Sequence, residues 1–171
     1  MQNPLVVSPQ TDNPFMARAL ELAVQGGQLG EIPVGAVVTW QGQIIAEAFN
    51  EKEATNNPLA HAEILAIERA SQKLNRWRLS GCTLYVTLEP CLMCAGAIVQ
   101  ARVDRVVFAT SDPKTGAVES VYQVLTDTRL NHQPLLTRGV LEQECSTLLK
   151  NFFRVLRTQK KNASPKGNAS V

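Results

Sequence analysis

The sequence predicts one α/β domain of three layers, in which a central mixed sheet of about five strands is covered by helices on both faces. Helical periodicity alternates with short β-branched or apolar runs along most of the chain. The first two such runs are separated only by Gln41 and Gly42, the spacing of a hairpin that opens the sheet. With 171 residues, 44% of them apolar, the chain is long enough to bury most of the surface that its unfolded form exposes. It carries neither an internal repeat nor the composition shift of a second domain.

Each element follows from its local pattern. Thr11, Asp12 and Asn13 offer helix caps and Pro14 suits a first turn; Phe15, Met16, Ala19, Leu20, Ala23 and Val24 then recur at helical spacing as far as Gly26 and Gly27. Residues 34–40 and 43–49 form the hairpin, and Asn56-Asn57-Pro58 breaks the pattern after it. A helix is expected from His61 to about Leu74, with Ile64, Leu65, Ile67, Ala70 and Leu74 on its buried side. Residues 83–88 are a continuous apolar run of the central-strand kind, stopped by Pro90. A small, apolar helix is expected from Cys91 to about Ala101, then a strand over 105–109, a polar loop over 110–116 and a weakly patterned stretch to His132. Residues 135–137 give a last, edge strand. Leu141, Cys145, Leu148, Phe152 and Val155 step by four, three, four and three, a helix to about Thr158. The expected organisation is a flexible start (1–13), a folded domain (14–158) and a disordered basic tail (159–171).

Charged residues make up 19% of the chain and no apolar run approaches the ~18 residues of a membrane span, which excludes a helical membrane protein and a disordered one. Residues 1–13 have neither a basic start nor an apolar core, so the expected compartment is the cytoplasm, or an organelle if a leader precedes them. The tripeptides Asn162-Ala163-Ser164 and Asn168-Ala169-Ser170 match a glycosylation pattern that has no use there. The net charge of +2 hides an asymmetry. Lys150, Arg154, Arg157, Lys160, Lys161 and Lys166 follow one another without an acid, while the first 149 residues carry eleven bases against fifteen acids, a net of −4. A mildly acidic body with a basic end points to a polyanionic partner, although solvated tails of this composition also occur without one.

Two short motifs carry the chemistry: His61-Ala62-Glu63 at one helix start and Pro90-Cys91-Leu92-Met93-Cys94 at another. Cys91 and Cys94 lie on one face of a first helical turn, where the positive end of the helix dipole favours the thiolate that binds metal. With His61 they make a Cys₂His set of three ligands, leaving a fourth tetrahedral position open as in catalytic zinc sites. A redox dithiol is the other reading of the CxxC pair; the neighbouring Pro, the bulky apolar residues between the cysteines and the Glu beside the His weigh against it. Cys82 begins a strand and Cys145 falls on an apolar stripe, so both are packing residues, and His132 is a loop residue. Glu63 is placed to move protons to and from water at the metal, provided that it and His61 both reach the mouth of the first turn. Without the zinc motif it reads as an acid favoured by the helix dipole.

At this point the chain resembles a family. His-Ala-Glu followed by Pro-Cys-x-x-Cys is the signature of the zinc-dependent, cytidine deaminase-like nucleobase deaminases. The resemblance extends to the bacterial tRNA-specific adenosine deaminases, which convert the wobble adenosine to inosine. It spans about Pro14 to Arg157 and includes Ile32-Pro33-Val34-Gly35-Ala36, Leu84-Tyr85-Val86-Thr87-Leu88-Glu89-Pro90-Cys91, Asp112-Pro113-Lys114-Thr115-Gly116 and Phe152-Phe153-Arg154. The last two blocks separate this branch from cytidine deaminases. Glu119 departs from it, standing where the family tends to have a small residue.

The resemblance implies one Zn²⁺ per chain on His61, Cys91 and Cys94, with Glu63 as proton shuttle. It also implies Asn50 as an amide contact to the purine, and Ala62 and Cys91 as backbone donors near the base and the reacting water. Asp112 and Lys114 would line the anticodon loop, and Phe153 and Arg154 would touch flanking nucleotides, while Phe152, on the apolar stripe, stays in the core. Read without the resemblance, Asn50 is a strand-end turn residue and Asp112 ordinary loop chemistry. The implied reaction is hydrolytic deamination, in which Glu63 carries a proton from water to purine N1 and then to the amine leaving C6. The implied partners are the anticodon stem-loop of tRNA and a second copy of the chain, with no membrane. Two rivals stay open: a zinc deaminase of free guanine or cytidine, and a non-catalytic zinc protein that binds RNA, against which an intact Glu63 counts.

Overall fold

The computed structural model describes residues 9–163. The expected flexible start up to residue 8, and the tail from residue 164 with Lys166 and Asn168-Ala169-Ser170, lie outside the described residues. Among the described residues, no helix is long and apolar enough to cross a membrane.

The elements in chain order are α1 (Pro9–Gln28), β1 (Gly35–Trp40), β2 (Gln43–Phe49), α2 (Lys52–Thr55), α3 (Ala62–Leu74), β3 (Cys82–Leu88), α4 (Leu92–Ala101), β4 (Arg105–Thr110), β5 (Leu135–Arg138) and α5 (Glu142–Ala163). The sheet has the order β2-β1-β3-β4-β5. β1 pairs antiparallel with both β2 and β3, whereas β3, β4 and β5 run parallel. The strand following α3 or α4 therefore runs parallel to the one preceding it, as the alternation predicts, but β1 lies between β2 and β3. The hairpin turns through Gln41 and Gly42, both at positive φ.

Period-two alternation splits the sheet between two cores. Ala36, Val38, Leu84, Val86, Val106 and Phe108 face the layer containing α3 and α4. Val37, Tyr85, Val107 and Ala109 face Met16 and Ala19 of α1 and Cys145 of α5. The close fit of α1 is visible at Gly35, where any Cβ would overlap the backbone of Ala19 and Ala23.

Four details differ from the sequence reading. α1 starts five residues early, with Pro14 inside it, and Asp12 is no cap. Its carboxylate is fully buried and accepts hydrogen bonds from both terminal nitrogens of Arg105 (2.8 and 2.7 Å) and from Tyr85 Oη (2.9 Å). That tertiary anchor offsets the missing Pro14 N–H, which a local rule reads as a helix boundary. The buried face of α3 is built from Ala62, Glu63, Ala66 and Ala70, small residues that let the helix sit close to the sheet, while Leu65, Ile67 and Leu74 pack at its margins. α2 is too short to have a periodicity; the buried Glu31 carboxylate holds it by accepting the Ala54 N–H at 2.8 Å. Finally α5 runs to Ala163 rather than Thr158. Its final turns contact the body little: Phe152 is only half-buried, edge-on to Phe153 at 5.6 Å, and Val155 is 51% exposed.

Candidate active site

The site forms where two helices begin on the same face of the sheet. His61 is the N-cap of α3 and Cys91 the N-cap of α4, both with extended backbone (φ −79°, ψ 148° and φ −74°, ψ 175°). A cap residue is outside the 100° rotation of the helix, which is how His61 and Glu63, two positions apart, both reach one cavity. Both helix N-termini, with their positive dipole ends, meet there.

His61 Nδ1 lies 3.7 Å from Cys91 Sγ and 3.5 Å from Cys94 Sγ, and the two sulfurs are 3.6 Å apart. Together they are a group able to hold a metal ion. A tetrahedral ion with bonds of about 2.3 Å to sulfur and about 2.0–2.1 Å to nitrogen needs its donors about 3.5–3.8 Å apart, so the triangle fits without rearrangement. The donor from Cys94 and the neighbouring His61 hold the Cys91 thiol down to about 4, while Cys94, donating to Cys91 and fully buried, is held above its ordinary value. Burial pushes the Glu63 carboxyl, 4% exposed, up to about 7. The other two cysteines are buried and unpaired, and burial raises the Cys145 thiol to about 12. His132 is in a loop, its Nε2 2.7 Å from the Val103 carbonyl.

His61, Glu63 and Cys91 open into a cavity of about 670 Å³ that also takes in Asn50, Asp112, Lys114 and Phe153. Asn50 is largely occupied within the protein: its Oδ1 accepts the Ala62 N–H (2.9 Å) and its Nδ2 donates to the Ile32 carbonyl (3.1 Å). An amide has two N–H groups, so one remains for a ligand. The Ala62 N–H, expected to face the base, is engaged by Asn50 instead, and the clamp fixes the start of α3. Asp112 also serves its own loop, its carboxylate accepting the Lys114 N–H (2.9 Å) and the Thr115 hydroxyl (2.6 Å). Arg154, expected at the substrate, is off the cavity and donates to Asn151 at 3.2 Å.

The cavity-facing stripe of α5 is Ser146, Leu149, Lys150, Phe153 and Arg157. It is rotated from the apolar stripe of the sequence reading, which took Leu148 as core where Leu149 is the buried residue. Lys150, Phe153 and Arg157 recur at i, i+3 and i+7, a helical pattern that is present in the sequence but that hydrophobicity does not mark. Lys52 on α2 adds a cation to the rim that no motif announces.

The MafB19-like deaminase family matches residues 10–157. A tRNA-specific adenosine deaminase of Bacillus subtilis (strain 168) is 48% identical over 152 residues, 89% of this chain and 94% of that protein. Among solved structures, one from work on A-to-I editing by tRNA:A34 deaminases at the wobble position of transfer RNA superposes with a TM-score of 0.77 at 42% identity, covering 80% of this chain and 99% of that one. A guanine deaminase from Nitrosomonas europaea shares the fold with a TM-score of 0.72 at 25% identity, over 89% of this chain and 93% of that one. The chain thus belongs to the MafB19-like deaminase family and, within it, to the tRNA-specific adenosine deaminases.

Proposed function

We propose that this protein hydrolyses the wobble adenosine in the anticodon loop of tRNA to inosine, releasing ammonia. The observation that carries this reading is a buried carboxylate, Glu63, in one cavity with a triangle of metal donors, under a rim that presents Lys52, Lys114, Lys150 and Arg157. His61, Cys91 and Cys94 would hold one Zn²⁺, whose Lewis acidity, when it is bound, makes water a nucleophile at neutral pH. Glu63 takes one proton of the attacking water and delivers it to purine N1 as the C6–O bond forms; it then takes the proton left on that oxygen and passes it to the amine as the C6–N bond breaks, leaving the C6 carbonyl and ammonia. Its protonation state is suited to this because burial keeps a neutral carboxyl within reach at working pH. The remaining N–H of Asn50 orients the purine, and the Cys91 backbone N–H faces the reacting water.

A loop substrate suits this cavity because its unstacked bases can enter without the cost of opening a pair. The rim cations meet phosphates, with Phe153, 39% exposed, as a surface for a flanking base. The proposed protein works as a homodimer in the cytoplasm.

The test is competition among an anticodon stem-loop with adenosine at the wobble position, free adenosine, free guanine and cytidine. Only the stem-loop should be turned over efficiently, since contacts to flanking nucleotides supply binding energy that a free base or nucleoside lacks. Faster reaction on guanine would place the activity with the guanine deaminase that shares this fold.

A further inference from the structure

We infer that Glu89 is a positioning residue, whose carboxylate fixes residues 111–120 as the substrate-facing wall of the cavity. This rests on the function proposed above. Glu89 follows β3 and precedes Pro90 and Cys91, and it is 2% exposed. Its Oε1 accepts the N–H groups of Val118 (3.0 Å), Glu119 (2.8 Å) and Ser120 (3.0 Å). Its Oε2 accepts the Asp112 N–H (2.9 Å) and the Ser120 hydroxyl. None of the ion pairs among the described residues includes it. A carboxylate is an acceptor only, and here it gathers both ends of one loop around a single side chain.

The loop is shaped to receive it. A Cβ on Gly116 would collide with the Glu89 carboxylate and with the Asp112 carbonyl. Gly116 also bridges to Cys91, and Ala117 donates its N–H to the Pro90 carbonyl at 2.8 Å. Three consecutive residues, Glu89, Pro90 and Cys91, therefore lay the loop against the turn that carries a metal donor. At its tip Asp112 bonds Lys114 and Thr115, so the arrangement has two tiers: Glu89 ties the loop to the sheet, and Asp112 sets the tip that presents Lys114 to the cavity. A wall held in place before RNA arrives does not have to be ordered at the cost of binding energy.

The isosteric change Glu89→Gln separates positioning from packing. Its single oxygen can keep Val118, Glu119 and Ser120, but its NH₂ then opposes the Asp112 N–H, donor against donor. Hydrogen exchange should speed up about tenfold or more at the Asp112 amide while residues 118–120 stay protected. With the stem-loop as substrate, KM should rise about tenfold, with kcat within about threefold of the parent and zinc content unchanged. Gly116→Ala, which crowds the same carboxylate, should give the same split between KM and kcat. Unchanged Asp112 exchange, a fall in kcat at constant KM, or loss of zinc in folded Glu89→Gln would overturn the inference; if that variant does not fold, unchanged KM in Gly116→Ala would do so. The exchange measurement needs no turnover, so a parent protein that left the stem-loop unreacted would count against the proposed function and not against the role of Glu89 in the loop.

Discussion

The floor of the cavity and its outer wall are built in opposite ways. On the floor, Cys94, Glu63 and Asn50 are buried, and His61 and Cys91 cap helices packed on the sheet. The outer wall is the half of α5 beyond Leu149, where Lys150, Arg154 and Arg157 are exposed and Phe152 and Leu156 keep partial cover. The floor inherits its precision from the core, where a side chain displaced by an ångström disturbs everything around it. The wall is held by helix geometry alone, so its side chains act nearly independently. Changes to the floor should therefore be all-or-none in chemistry, and changes to the wall graded in affinity.

The largest effects are expected at the metal donors. Replacing His61, Cys91 or Cys94 by Ala should remove both zinc and turnover, measured by metal analysis and inosine formation. Chelation of the parent protein should do the same, with recovery on adding zinc. Cys82→Ser and Cys145→Ser should keep about one zinc per chain, each losing about 1–3 kcal/mol of stability because a hydroxyl replaces a buried thiol. Zinc retained by Cys91→Ala would show that the floor is not the metal site.

Next comes Glu63. Glu63→Ala should fold, keep zinc and bind the stem-loop, yet lose about 10² to 10⁴ in turnover, the usual worth of a positioned acid and base. Near-parental turnover would assign the proton to another group and leave the floor a binding site only.

How legible each region was follows from the same contrast. The donors and Glu63 were readable because metal chemistry allows few residue types, and two short motifs at helix starts bring them together. The sheet was readable because its strands are short apolar runs between turn residues. Asp12 was misread as a cap because its partners, Tyr85 and Arg105, are distant in sequence, and no local rule sees an anchor of that kind. Glu89 stands inside a recognisable motif with nothing in the sequence to announce its role, since a cage of backbone N–H groups leaves no mark on side-chain identity. On α5, the resemblance points to Arg154, whereas helical phase selects Lys150 and Arg157; a rotation of 100° per residue decides which cations see the cavity.

The smallest effects belong to the wall, and their order tests that phase argument. Lys150→Ala and Arg157→Ala should each weaken stem-loop binding and lower the slope of log affinity against log salt by about 1, the signature of one lost phosphate contact. Arg154→Ala should cost less than either, because its guanidinium faces Asn151 and not the cavity. Removing residues 160–171 takes away Lys160 and Lys161, which lie past the last cavity residue on α5 and so attract RNA at long range, screened over about 10 Å at 0.1 M salt, together with Lys166, outside the described residues. The truncated protein should keep its zinc and its preference for the wobble adenosine, with a modest loss of affinity at low salt only. Binding measured across a salt series for the four variants ranks them directly. If the truncation abolished deamination while Lys150→Ala and Arg157→Ala were silent, RNA would be held by the end of the chain, and the wall would be only the support from which that end extends.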